Sequence, residues 1–151
     1  MKKIVISILL VITLTPVFSQ RVEDENTHER RYRALGIANY AMAYMTYISI
    51  GVLGDAYANR TYKPNQLVVY AGKIISILRL TITAGEKLIR NGDIEHENLK
   101  LAKGILKAYK LMRTQTRFLI KFARTGNRQN AVKFDEYRKK AWNIISKLEG
   151  K

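Results

Sequence analysis

Apolar side chains recur every three or four residues along the chain beyond Gln20, and no stretch alternates apolar with polar residues as a strand would. Three short breaks interrupt this helical pattern, at Lys63-Pro64-Asn65, Asn91-Gly92 and Gly126-Asn127. Proline disfavours helix in the residue before it, and glycine readily ends a helix. The sequence therefore predicts four helices, over about 24–62, 65–90, 93–125 and 128–148.

Short connections make consecutive helices run antiparallel. The pattern thus predicts an all-α, single-domain, antiparallel (up-down-up-down) four-helix bundle, with Asp93 capping the third helix. About 132 residues follow the first 19, enough for one hydrophobic core and too few for two. At 47 % hydrophobic and 26 % charged, the composition is that of a globular domain.

Residues 1–19 have the three parts of a secretory signal peptide. Lys2 and Lys3 form a basic start, an uncharged run from Ile4 to Leu14 follows, and Ser19 is a small residue at the expected cleavage site. The uncharged run is shorter than the roughly 20 residues that span a membrane. We expect cleavage and export to the periplasm or the exterior, with a retained membrane anchor as the alternative.

The first predicted helix contains 21 consecutive uncharged residues, from Ala34 to Gly54. Its length would allow a membrane span, but Asn39, Thr46 and Ser49 would each need a hydrogen-bond partner in lipid. A helix that is apolar on all sides is buried somewhere. We expect it to be the central helix of a soluble bundle, and burial in a membrane or between subunits is the alternative.

Four aromatic residues are candidates for an interface. Tyr40, Tyr44 and Tyr47 share one face of the first helix, and Trp142 lies beside the apolar stripe of the fourth. Exposed aromatic residues are enriched in interfaces, whereas buried tyrosines line a core with the hydroxyl at its edge. The core interpretation is favoured for the tyrosines, and both remain open for Trp142.

Positive charge is concentrated in the C-terminal third of the chain. Residues 99–151 hold 15 Lys and Arg against three carboxylates, whereas residues 20–98 are nearly neutral. Nine cations follow one another in steps of three or four and project onto an arc of about 140° of an ideal helix. We call these nine residues the basic ridge: Lys100, Lys103, Lys107, Lys110, Arg113, Arg117, Lys121, Arg124 and Arg128.

No catalytic, cofactor-binding or metal-binding pattern is present in the sequence. The chain has no cysteine, and its two histidines, His28 and His96, do not form a metal-binding motif. Phosphate-binding glycine loops and nucleophile elbows are also absent. We therefore expect a non-enzymatic protein that needs no cofactor.

Like charges three or four residues apart repel each other on a helix, so an anionic partner could offset the cost of the basic ridge. The favoured function is a binding or scaffold protein that presents the ridge to an anionic protein surface or envelope component, as an accessory subunit of a bacterial envelope, secretion or conjugation assembly. One alternative is a membrane-active protein on anionic lipid, and another is an extracytoplasmic nucleic-acid-binding protein. Self-association is also left open.

Overall fold

The computed structural model describes residues 27–94 and 96–148. The predicted signal peptide and its cleavage site lie outside the described residues, as does the predicted helix start at Asp24. The chain divides into two compact units, residues 1–33 and 34–151. Of the first unit, only the beginning of one helix is described.

The described chain is all-helical, with four helices and no strand, as a four-helix bundle would have. These helices are α1 (Thr27–Ala58), α2 (Pro64–Asn91), α3 (His96–Thr125) and α4 (Arg128–Ile145). The prediction of four helices is confirmed, and their bounds differ from the predicted ones by a few residues at most ends.

The predicted breaks between helices have recognisable local causes. Pro64 is the first residue of α2, and the backbone N–H of Lys63 donates to Oε1 of Gln66 at 3.0 Å. Gly92 ends α2 with φ 74°, and Gly126 follows α3 with φ 64°, both in the left-handed region that favours glycine.

Three predicted helix ends were wrong by several residues. α1 ends at Ala58 instead of residue 62, because Arg60 adopts a positive φ of 59°. α3 begins at His96 instead of residue 93, and the backbone N–H of Asp93 donates to the carbonyl of Leu88 at the end of α2. α4 ends at Ile145 instead of residue 148, where the N–H of Leu148 bonds three residues back to Ile145 in a tightened last turn.

The core consists of two clusters of buried residues. One cluster takes residues from all four helices, including Ile50 of α1, Leu78 of α2, Met112 of α3 and Ile145 of α4. The other joins α1, α2 and α3 around Leu67. Helix α3 packs against both α2 and α4, so its inner side is covered along its length.

The expectation that α1 is the central helix of the bundle was wrong. Its inner side is covered, with Ala43 and Ile50 fully buried. Its outer side, however, exposes six large apolar residues to solvent, so burial in a membrane or between subunits stays a prediction. These residues are Leu35, Ile37, Met42, Met45, Ile48 and Val52.

By length and composition, α2 is the one helix among the described residues that could cross a membrane. The sequence interpretation had considered a span in residues 34–54 of α1 instead. Helix α2 also contributes Leu67, Ala71, Leu78 and Ile82 to the core of the bundle. The core helix of a soluble protein can meet the same criteria, so this finding by itself places no helix in a membrane.

Replacing Gly54 with alanine is expected to destabilise the protein by about 1–3 kcal/mol. A Cβ atom at Gly54 would lie 2.9 Å from Cζ of Phe134, and that ring is held against both core clusters. Gly72→Ala in α2 is the matched control, because nothing lies within 4 Å of its added Cβ.

The free energy of unfolding of the Gly72→Ala control should increase by up to about 1 kcal/mol, because alanine has a higher helix propensity than glycine. Thermal and urea unfolding of both variants, compared with the unmodified protein, measures the difference. An equal increase in stability in both variants would show that the Phe134 ring leaves room for a side chain at residue 54.

Candidate anion-binding face

Helix α3 carries eight of the nine basic-ridge residues on its outer side. Seven of the eight are exposed, and Arg113 is half-buried. The ninth, Arg128, is also exposed but is the first residue of α4, beyond the turn at Gly126. On α3 the ridge extends for about 36 Å at 1.5 Å per residue.

The inner side of α3 fixes the direction in which the ridge points. Ile105, Ala108, Met112, Leu119 and Ala123 are all buried against neighbouring helices. Rotating the helix to hide its cations would bring these apolar groups into water, at about 25 cal/mol for each Å² exposed. The ridge is therefore held outward by packing.

The described residues neutralise little of the ridge. Among the described residues its one salt bridge joins Nζ of Lys110 to Oε1 of Glu86 on α2, at 2.7 Å. The carboxylates of α4 pair within their own helix, Asp135 with Lys139 and Glu136 with Lys140. These carboxylates therefore leave the charge of the ridge available to a partner.

The Lys110–Glu86 contact has a measurable electrostatic consequence. A hydrogen bond from Lys110, with the charge of its ammonium, holds the pKa of the Glu86 carboxyl below its ordinary value of 4.5. Arg113 and Arg90 lower the pKa further. Glu86 therefore stays ionised into more acidic solution than a free glutamate.

Lys110→Gln is expected to raise the pKa of Glu86 towards 4.5. Because the pKa is lowered in the folded protein, the contact stabilises the fold above pH 4.5 and is lost as pH falls through the lowered value. A carboxyl-detected NMR titration of both proteins measures the change. The same Glu86 pKa in both would mean that Lys110 is not its partner in solution.

An aromatic residue lies among the ridge cations. The Nζ atoms of Lys121 and Lys133 are each 5.3 Å from the centre of the Phe118 ring, which stacks on Tyr137 of α4 at 5.5 Å. The sequence analysis assigned neither Phe118 nor Lys133 to the basic ridge. On an ideal helical projection Phe118 falls at the same angle as Lys100, at the edge of the ridge arc, which was the signal available in the sequence.

A shallow depression of about 390 Å³ lies on this part of α3. Three ridge cations line it together with apolar and hydroxyl groups. Its lining residues are Thr114, Arg117, Phe118, Ile120, Lys121 and Arg124. An anionic side chain or headgroup entering it would meet Lys and Arg donors beside an apolar surface.

The four aromatic candidates form one cluster away from the ridge, between α1 and α4. Trp142 stacks on Tyr47 at 5.4 Å and contacts Tyr44 at 6.2 Å, and Tyr44 stacks on Tyr40 at 6.4 Å. The three tyrosines are half-buried against the core, and Trp142 is 37 % exposed. The tyrosines therefore pack against the core and Trp142 lies at the edge of the bundle, and a role of the four residues in an interface stays a prediction.

In its described part, the chain has no group of three or more His, Asp or Glu residues placed to hold a metal ion. The ridge consists of positively charged hydrogen-bond donors, which bind carboxylates and phosphates. Comparisons with protein-family models, curated proteins and solved structures found no match to this chain.

Proposed function

We propose that this protein is an exported, non-enzymatic four-helix bundle of antiparallel topology that binds an acidic protein surface through the basic ridge. It would act outside the cytoplasm, after removal of residues 1–19, as an accessory or scaffold subunit of an envelope, secretion or conjugation assembly. The observation that carries the proposal is a row of exposed cations on α3 that has one carboxylate partner, Glu86, among the described residues.

The spacing of the ridge supports an extended anionic partner over a single small anion. Successive cations are three or four residues apart, so their Cβ atoms are about 5–6 Å apart along one line. A row about 36 Å long can contact several carboxylates at once. Each contact adds a modest electrostatic gain, and together they give an affinity that depends strongly on salt.

The Phe118 region favours a protein partner over a lipid headgroup layer or a nucleic acid. The cations there flank a half-buried ring and a shallow depression that a side chain could enter. Stacking on bases requires aromatic faces open to solvent, whereas Phe118 is half-buried, stacks on Tyr137 and has two lysine ammonium groups 5.3 Å from its ring centre.

Three defined probes test the proposal: polyglutamate, phosphatidylglycerol vesicles and a double-stranded DNA oligonucleotide. The full chain should bind polyglutamate, and its Kd should rise at least tenfold between about 50 and 200 mM salt. Polyglutamate binding that is absent, or insensitive to salt, would reject the ridge as an acidic-protein site. Tighter binding to vesicles or to DNA would replace the proposed partner with that class.

A further inference from the structure

The outer side of α1 carries a second ordered surface, unrelated to the basic ridge. Six exposed residues follow one another at alternating intervals of three and four, and we call them the α1 seam: Leu35, Ala38, Met42, Met45, Ser49 and Val52. Alternating intervals of three and four residues are typical of the residues through which two helices pack against each other. We propose that a second copy of this chain packs its own α1 against the seam, making a homodimer.

Removing the seam from water costs little desolvation free energy. No charged residue occurs between Ala34 and Gly54. Polar side chains of this stretch donate to carbonyls of their own helix: Asn39 to Leu35 at 2.8 Å, Thr46 to Met42 at 2.7 Å and Ser49 to Met45 at 2.8 Å. Burying the seam would therefore leave the hydroxyl of Ser49, its one polar side chain, with its hydrogen-bond partner.

The outer side of α1 offers apolar surface to a dimer both in the seam and beside it. Its six large apolar residues are 39–63 % exposed, and four of them, Leu35, Met42, Met45 and Val52, belong to the seam. A standard interface takes roughly 800 Å² from each partner, so Ile37 and Ile48 beside the seam would contribute as well. Methionine, present twice, is enriched in interfaces because it adapts its shape.

The sequence of large and small residues along the seam is the same when it is read in either direction. Leu35 and Val52, Ala38 and Ser49, and Met42 and Met45 are each placed symmetrically about a point between residues 43 and 44. When two copies cross antiparallel about a two-fold axis at that point, large residues meet large ones and small residues meet small ones. A two-fold interface requires this self-complementarity, and a lipid surface does not.

The position of the basic ridge also favours a second copy. α1 and α3 touch through their inner sides, where the hydroxyl of Tyr109 donates to the carbonyl of Asn39 at 3.3 Å. The ridge and the seam are on the outer sides of these two helices. A dimer through the seam is made by α1, so it leaves the ridge residues of α3 exposed. An anionic membrane would be drawn to the ridge, because the seam carries no charge that attracts it.

Sedimentation analysis of the full chain over about 1–100 µM tests the proposal. The unmodified protein should be dimeric, and Met42→Glu with Met45→Glu should raise the dimer Kd at least about a hundredfold, because like charges would face each other. Ile77→Glu with Leu80→Glu on α2 is the matched control, since those residues are 57 % and 68 % exposed. The control should remain dimeric, and circular dichroism should show the same helicity in all three proteins.

Cross-linking tests the orientation, because the chain has no cysteine of its own. Met45→Cys should cross-link between copies with a short bismaleimide. Leu35→Cys should not, since antiparallel crossing separates the two residues 35 by about 25 Å.

Three results would overturn the inference. One is an unmodified protein that is monomeric over the whole concentration range. Another is efficient cross-linking through Leu35→Cys, which would exclude the antiparallel pairing. The third is a monomer that binds phosphatidylcholine vesicles and loses that binding in the Met42→Glu, Met45→Glu variant, which would show that the seam contacts lipid.

Discussion

Reversing three charges of the basic ridge, with Lys103→Glu, Lys107→Glu and Arg117→Glu, is expected to raise the Kd for polyglutamate at least about a hundredfold. A cation close to an anionic surface contributes about 1 kcal/mol, and each reversal also adds repulsion. All three residues are exposed, and none has a salt bridge among the described residues. Lys110 is left unchanged because it pairs with Glu86.

The matched control reverses three exposed lysines at or near α2, with Lys63→Glu, Lys73→Glu and Lys87→Glu. Its net charge equals that of the ridge variant, so it separates the effect of the ridge from the effect of total charge. Fluorescence titration at low salt should give a Kd much closer to that of the unmodified protein. Equal weakening in the two variants would mean that only the overall charge of the protein matters.

Gln115→Met is expected to stabilise the protein by about 1–3 kcal/mol. Gln115 is fully buried, and its Oε1 and Nε2 atoms have no hydrogen-bond partner among the described residues. A buried amide without partners carries a desolvation cost that an apolar side chain of similar size avoids. Urea unfolding at pH 7 measures the change in the free energy of unfolding.

Gln129→Met is the control for this prediction. Gln129 is exposed at the start of α4, so the same substitution there should change the free energy of unfolding by less than about 0.5 kcal/mol. Loss of stability in Gln115→Met would show that the amide is hydrogen-bonded in solution. That result would reverse the sign of the prediction and identify the amide as a stabilising group.

The tertiary environment explains why sequence reasoning did not single out Gln115. A glutamine in a strongly basic helix resembles a surface residue. It projects to the inner side of α3, next to Met112 and Leu119 on the helical arc, and all three are buried. The helical period indicated its direction, but only the packing of neighbouring helices showed that its amide has no partner.

Phe118 also shows how packing decides the surroundings of a side chain. Its apolar character is typical of a core residue, yet it packs against Tyr137 with two lysine ammonium groups near its ring. Arg128 continues the spacing of the basic ridge and, as the sequence predicts, begins a new helix. Asn127 caps that helix by accepting a hydrogen bond from the backbone N–H of Gln129 at 2.9 Å.

Sequence alone determined the number of helices, the breaks at Pro64, Gly92 and Gly126, and the spacing of the cations on α3. These features depend on interactions within a few residues, such as backbone φ and the helical repeat. Tertiary structure decided which side of α1 stays exposed, which carboxylate meets Lys110, and where Trp142 stacks. Those outcomes depend on atoms contributed by helices distant in the sequence, which compete for the same apolar surface, and a local pattern carries no information about that competition.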